Sequence, residues 1–135
     1  GPARGMTGFT ALIMVALGGA AGAVARFGLT ALFQRQALVF PFGTLAANLL
    51  GCLVIGMLAE AAARTELLTG NARLLLATGF CGSFTTLSTL TLELVQYVRG
   101  GYLLSAAGYF ALTFAGAFVS FFAGVALMRL LLRAG

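Results

Sequence analysis

Four stretches of this chain run long enough without a charged residue to cross a lipid bilayer, and that feature limits the fold more than any other. A spanning helix needs about 20 mostly apolar residues. The clearest stretch is the nineteen-residue run Leu74–Leu92, between Arg73 and Glu93. The spans read as about 7–33, 41–62, 73–98 and 102–131. Backbone inside hydrocarbon has to satisfy its own hydrogen bonds, so only helices and closed barrels cross. Uncharged runs of this length predict an all-α membrane protein with four transmembrane helices. Composition agrees: 61% of residues are hydrophobic and 8% are charged, against about 25% charged in soluble domains. Residues 1–5, Gly-Pro-Ala-Arg-Gly ahead of Met6, read as an expression scar, leaving 6–135 as one membrane domain.

The charges narrow the function. All eight basic residues are Arg, the acids are Glu60, Glu66 and Glu93, and there is neither His nor Lys. No side chain therefore has an ordinary pKa near neutrality, which argues against a histidine-based enzyme. The arginines are scattered among apolar spans rather than gathered on one face, so no nucleic-acid partner is expected. The expected solvent partner is the bilayer. Four spans put both termini on one side, with Arg4, Arg64, Arg73, Arg129 and Arg133, against Arg35 and Arg99 on the other. The positive-inside rule then favours cytoplasmic termini, with a bias mild enough to permit insertion both ways. Cys52 and Cys81 lie in apolar runs and read as buried free thiols.

Several polar residues sit where lipid-facing helices do not need them. The third span carries Ser83, Thr85, Thr86, Ser88, Thr89 and Thr91, preceded by Gly79 and Gly82. Glycine weakens a helix and Ser or Thr back-bonds to carbonyls, so this pattern predicts an opening of the backbone near the glycines. Such backbone survives at membrane depth only where protein covers it or water reaches it. Freed carbonyls there would suit a hard cation such as Na⁺. Thr85, Ser88 and Thr89 fall on one helical face and could line a path. In the first span Gly18, Gly22 and Arg26 share a face at four-residue spacing, and in the second Ala47 and Gly51 do the same. Small residues let helices approach closely in lipid. Four helices make a thin bundle, which predicts a dimer.

Arg26 cannot lose its charge, so it faces water or a partner; it is either a snorkelling anchor or a positive charge that draws anions. Asn48, in "GTLAANLLG", either bonds across helices or offers its amide to an anion. The fourth span has a hydroxyl stripe of Ser105, Tyr109, Thr113 and Ser120 beside an aromatic stripe of Phe110, Phe114, Phe118 and Phe122. A ring edge is electropositive and can meet an anion. Glu93 has no evident partner and reads as a carboxylate at a helix end, near the headgroups.

Together "GAVARF", "GTLAANLLG" and "GFCGSFTTLSTLTLE" resemble the small fluoride channels of the Fluc (CrcB) family, in matching order and spacing from Met6 onward. The resemblance implies an antiparallel, dual-topology homodimer in the inner (plasma) membrane. Each subunit would have four helices, the third broken near its middle, and the dimer would pass fluoride passively out of the cell. It implies a structural Na⁺ at the dimer centre, held by the carbonyls of Gly82 and Thr85. Arg26 becomes the vestibule arginine and Asn48 the pore asparagine. Ser88 and Thr89 become pore hydroxyls, Tyr109 and Thr113 belong to a polar track, and Glu93 matches an acidic position. The family motif reads T-T-F-S-T-F, and Leu87 and Leu90 stand where its phenylalanines offer ring edges to fluoride. That departure keeps open a non-conducting or heterodimeric subunit. A proton-coupled small multidrug transporter fits less well, because it needs a carboxylate in the first helix and none precedes Glu60.

Overall fold

The structure is a computed structural model and describes residues 8–33, 40–66 and 68–134. The leader, residues 1–5, and the polar turn Gln34-Arg35-Gln36 lie outside these residues. Among the described residues the fold is all-helical. Helix α1 spans Gly8–Leu32, α2 spans Phe42–Arg64, and the last helix, α5, spans Leu103–Ala134. Between them α3 covers residues 70–84 and α4 covers Leu87–Arg99. Taking α3 and α4 as one span, four segments are long and apolar enough to cross a membrane. The chain is a multi-pass membrane protein.

Helix α3 is irregular. After one α turn, Gly70–Arg73, it winds as a π-helix through Leu74–Cys81 and ends in an α turn at Gly82–Phe84. Thr85 and Thr86 are then extended, with ψ of 153° and 118°, before α4 begins. The glycines are not where helical geometry stops. Gly82 has ordinary helical angles, and Gly79 serves another purpose: a Cβ there would lie 2.9 Å from the Cα of Gly18. The helix ends two residues beyond Gly82, and the two β-branched threonines that follow adopt extended backbone. At the far end of α4 the chain reverses tightly. Gly101 takes φ of +84°, Tyr102 N–H bonds Tyr97 C=O, and Gly101 N–H bonds Val98 C=O. These are the paired bonds of a Schellman ending, which wants glycine at that position.

Two backbone-close seams hold the bundle. On the first, α1 lies on the π-helix: a Cβ on Gly18 would run into Leu75 O, and one on Gly22 into Phe80 O. Gly18 and Gly22 thus share a contact face, as their spacing predicts. On the second, α2 lies along α5, with Gly56 against the Phe121 carbonyl and Gly124 against that of Leu53. Lipid offers no hydrophobic drive between helices, so close backbone packing of this kind is what brings them together.

One ion cluster fastens the second seam at the end of the bundle where α1 starts and α5 finishes. Glu60 on α2 accepts from Arg64 Nε, one turn on, and from Arg129 Nη2 of α5 at 3.0 Å. It is 7% exposed, while both guanidiniums are about half exposed. Glu60→Gln is expected to lower the thermal midpoint of the purified protein, with helix content by circular dichroism unchanged.

Candidate functional site

The site forms where α2 passes the extended pair Thr85-Thr86. An extended residue at membrane depth has an N–H and a C=O without helical partners, and leaving either dry costs about 1–3 kcal/mol. Asn48 supplies both. Its Oδ1 accepts from Thr86 N–H at 2.7 Å, and its Nδ2 donates to Thr86 C=O at 3.3 Å. A side-chain amide here pairs with backbone as a neighbouring strand would. Asn48 is buried, and Gly51, one turn on, lets α2 come so close that a Cβ there would meet the Thr85 methyl.

The hydroxyls of "TTLST" serve the local backbone. Thr86 Oγ1 accepts from Thr89 N–H at 3.2 Å and so caps α4. It also donates to Thr89 Oγ1 at 3.2 Å and lies 3.3 Å from Ser88 Oγ. Thr85 Oγ1 donates to Cys81 C=O, and Thr91 Oγ1 to Leu87 C=O. Thr85, Ser88 and Thr89 therefore do not form one helical face, because Thr85 precedes α4. The interruption frees carbonyls at the end of α3, and those of Gly82 and Thr85 are among them. Thr86 N–H, which would bond Gly82 C=O in an unbroken helix, goes to Asn48; Thr89 N–H, which would bond Thr85 C=O, goes to Thr86 Oγ1.

A cavity of about 270 Å³ opens beside the extended pair, lined by Asn48, Thr85, Thr86, Leu87, Leu90 and Thr113 among others. Thr113 is buried and its hydroxyl has no hydrogen-bond partner among the described residues, which leaves one donor unused. Leu87 and Leu90 both reach this cavity, but differently. Leu90 is 2% exposed and packs with Leu45 and Tyr109 in the core, whereas Leu87 is 67% exposed.

Glu93 is not a lone carboxylate at a helix end. It accepts from Tyr109 Oη at 2.8 Å and from Thr44 Oγ1 at 3.1 Å. Tyr109 is fully buried and meets Phe40 and Tyr97 edge-on. Leu90 packs in the cluster of Tyr109 and also lines the cavity. Tyr109→Phe keeps the ring packing and removes the donor to Glu93; the expected cost is about 1.5–3 kcal/mol, the range for hydrogen bonds to charged groups, read from thermal unfolding.

Arg26 lies apart from the cavity. Its Nε donates to Ser83 C=O at 3.0 Å, at the carbonyl end of α3, where a cation is favoured by the helix dipole. Of the fourth-span stripe, Tyr109 and Thr113 are buried while Ser105 is exposed; Phe110, Phe114, Phe118 and Phe122 are all partly exposed, and Phe114 also lines the cavity. Thr44 and Thr86 are the residues that sequence reasoning left without a role. Thr44 is four before Asn48 on α2, a spacing that puts both on one face, and Thr86 stands three before Thr89, the separation of an N-cap from its N3 partner.

A sequence profile described as CrcB-like protein, Camphor Resistance (CrcB), matches residues 13–125. The chain belongs to the CrcB family. It is 41% identical over 121 residues to the fluoride-specific ion channel FluC of Prosthecochloris aestuarii, covering 90% of this chain and 94% of that protein. With the protein of the same name from Chlorobaculum tepidum it shares 44% over 119 residues, 88% of this chain and 94% of the other. With that of Methylobacillus flagellatus the figures are 39% over 125 residues, 91% and 98%. In this CrcB chain, "GTLAANLLG" and "GFCGSFTTLSTLTLE" meet in space through Asn48 and Thr86, residues 38 positions apart.

Proposed function

We propose that this CrcB chain is a fluoride-selective channel that lets fluoride leave the cell passively, relieving its toxicity, as an antiparallel dual-topology homodimer in the inner membrane. The observation that carries the reading is the extended Thr85-Thr86 pair, stitched to Asn48 beside a cavity holding an unpaired Thr113 hydroxyl. Fluoride is small and tightly hydrated, so a path for it has to replace water with closely set N–H and O–H donors. Asn48 retains a second Nδ2 hydrogen beyond the one given to Thr86, and Thr113 retains its own. Ser88 and Thr89 extend the donor set along α4, and the polar track continues toward the α4–α5 turn through Tyr109 and Thr44, whose hydroxyls are both given to Glu93. Arg26 keeps guanidinium N–H groups beyond the Nε bound to Ser83, and would hold anions at the mouth. The names borne by the relatives support the same reading.

Na⁺ fits the donor chemistry at the third span. The Gly82 and Thr85 carbonyls are neutral, hard oxygens freed from helical pairing, the ligand type such cations take. A second, antiparallel copy would double the pair; when bound, the ion would supply fixed positive charge that holds the two extended segments together. The exposed aromatic stripe of α5 and exposed Leu87 give that copy an apolar surface to cover.

The test is fluoride release from liposomes containing the purified protein, followed with a fluoride electrode. Rapid electrogenic efflux is expected from the native chain despite Leu87 and Leu90. Silence in the native protein and also in Leu87→Phe/Leu90→Phe would defeat the channel reading and leave an assembly subunit.

A further inference from the structure

We propose that the crevice between α2 and α3, at the end of the bundle where α1 starts and α5 finishes, binds an anionic phospholipid. The slot measures about 180 Å³ and is walled by Ile55, Leu58, Ala59 and Ala62 of α2 against Ala77 and Arg73 of α3, with Leu68 of the connector between them. Three of its wall residues are alanines, and α2 is drawn toward α5 at Gly56 and Gly124. From Ile55 to Ala62 is seven residues, about 10 Å along the helix, enough to seat the upper part of one acyl chain parallel to α2. The slot is apolar along its length and has one cation, Arg73, in its wall.

Charge decides which lipid. At this end Glu60 is already held by Arg64 and Arg129. Glu66, the other carboxylate here, is exposed and forms no ion pair among the described residues. The Arg73 guanidinium has no hydrogen-bond or ion-pair partner among the described residues, and Arg133, at the end of α5, forms no ion pair among them. A guanidinium at the headgroup level, above an apolar slot, is matched by a phosphate with net negative charge and an attached chain. The inference concerns the membrane-facing surface alone and holds whichever ion crosses.

The test is native mass spectrometry of the purified protein released from equimolar phosphatidylglycerol and phosphatidylcholine with identical acyl chains. The native protein is expected to retain phosphatidylglycerol about five-fold over phosphatidylcholine, the preference one basic residue confers near a charged surface. Arg73→Gln should erase that preference and Arg73→Lys should restore most of it. Ala62→Phe, which fills the slot and leaves the guanidinium in place, should reduce retention of both lipids, with helix content by circular dichroism unchanged. Equal retention of the two lipids by the native protein overturns the proposal, as does an undiminished preference in Arg73→Gln. A loss of dimer in Ala62→Phe with lipid retention intact also overturns it, because the slot is then covered by a second copy.

Discussion

Asn48→Ala is expected to cut fluoride efflux by at least tenfold and to destabilise the protein by about 2–6 kcal/mol, the sum of two orphaned buried backbone groups. The amide bonds both the N–H and the C=O of Thr86, and alanine bonds neither. Water could enter the cavity and repair the stability in part, but the extended segment would no longer be held against α2. Asn48→Asp separates the two bonds: its oxygens still accept from Thr86 N–H, yet one now faces the Thr86 carbonyl with no proton between them. Its efflux should fall between native and Asn48→Ala. Efflux from Asn48→Ala within twofold of native, measured in the same liposomes, would remove Asn48 from any account of conduction.

The second large effect is steric. Gly56→Val is expected to cost about 3 kcal/mol, the upper part of the usual range for overpacking, and to deplete folded protein in membrane extracts. The added Cβ would overlap the Phe121 carbonyl, a backbone atom that no rotamer change can move aside. Gly124 faces the Leu53 carbonyl in the same seam, so α2 and α5 would have to separate along their length. Gly108→Ala is the matched control, because nothing lies within 4 Å of a Cβ there. It should leave stability unchanged or raise it by up to about 1 kcal/mol, from helix propensity alone. Equal yields of Gly56→Val and Gly108→Ala would show that the seam tolerates separation.

Much of the architecture was legible in the residues. Apolar runs flanked by arginine marked the four spans, because transfer of uncharged helix into lipid depends on local composition. The shared face of Gly18, Gly22 and Arg26 was legible for a similar reason: helical periodicity fixes which side chains point together, and all three now meet α3. Glycine was a poor guide to where α3 ends. The same missing Cβ permits either backbone freedom or close approach, and Gly79 uses the second.

What the sequence determined by itself is therefore local in origin: the number of crossings, the helical state, and the set of polar groups carried into the membrane. Tertiary structure alone decided what those groups touch. Glu93 reads as unpartnered until α2 and α5 bring Thr44 and Tyr109 to it, from 49 and 16 residues away. Asn48 offers the same amide to an anion or to a neighbour until Thr86 turns extended beside it. The physical reason is that a side chain's partner depends on how helices dock. Docking is set by close contacts between distant backbone segments, which no stretch of chain encodes alone.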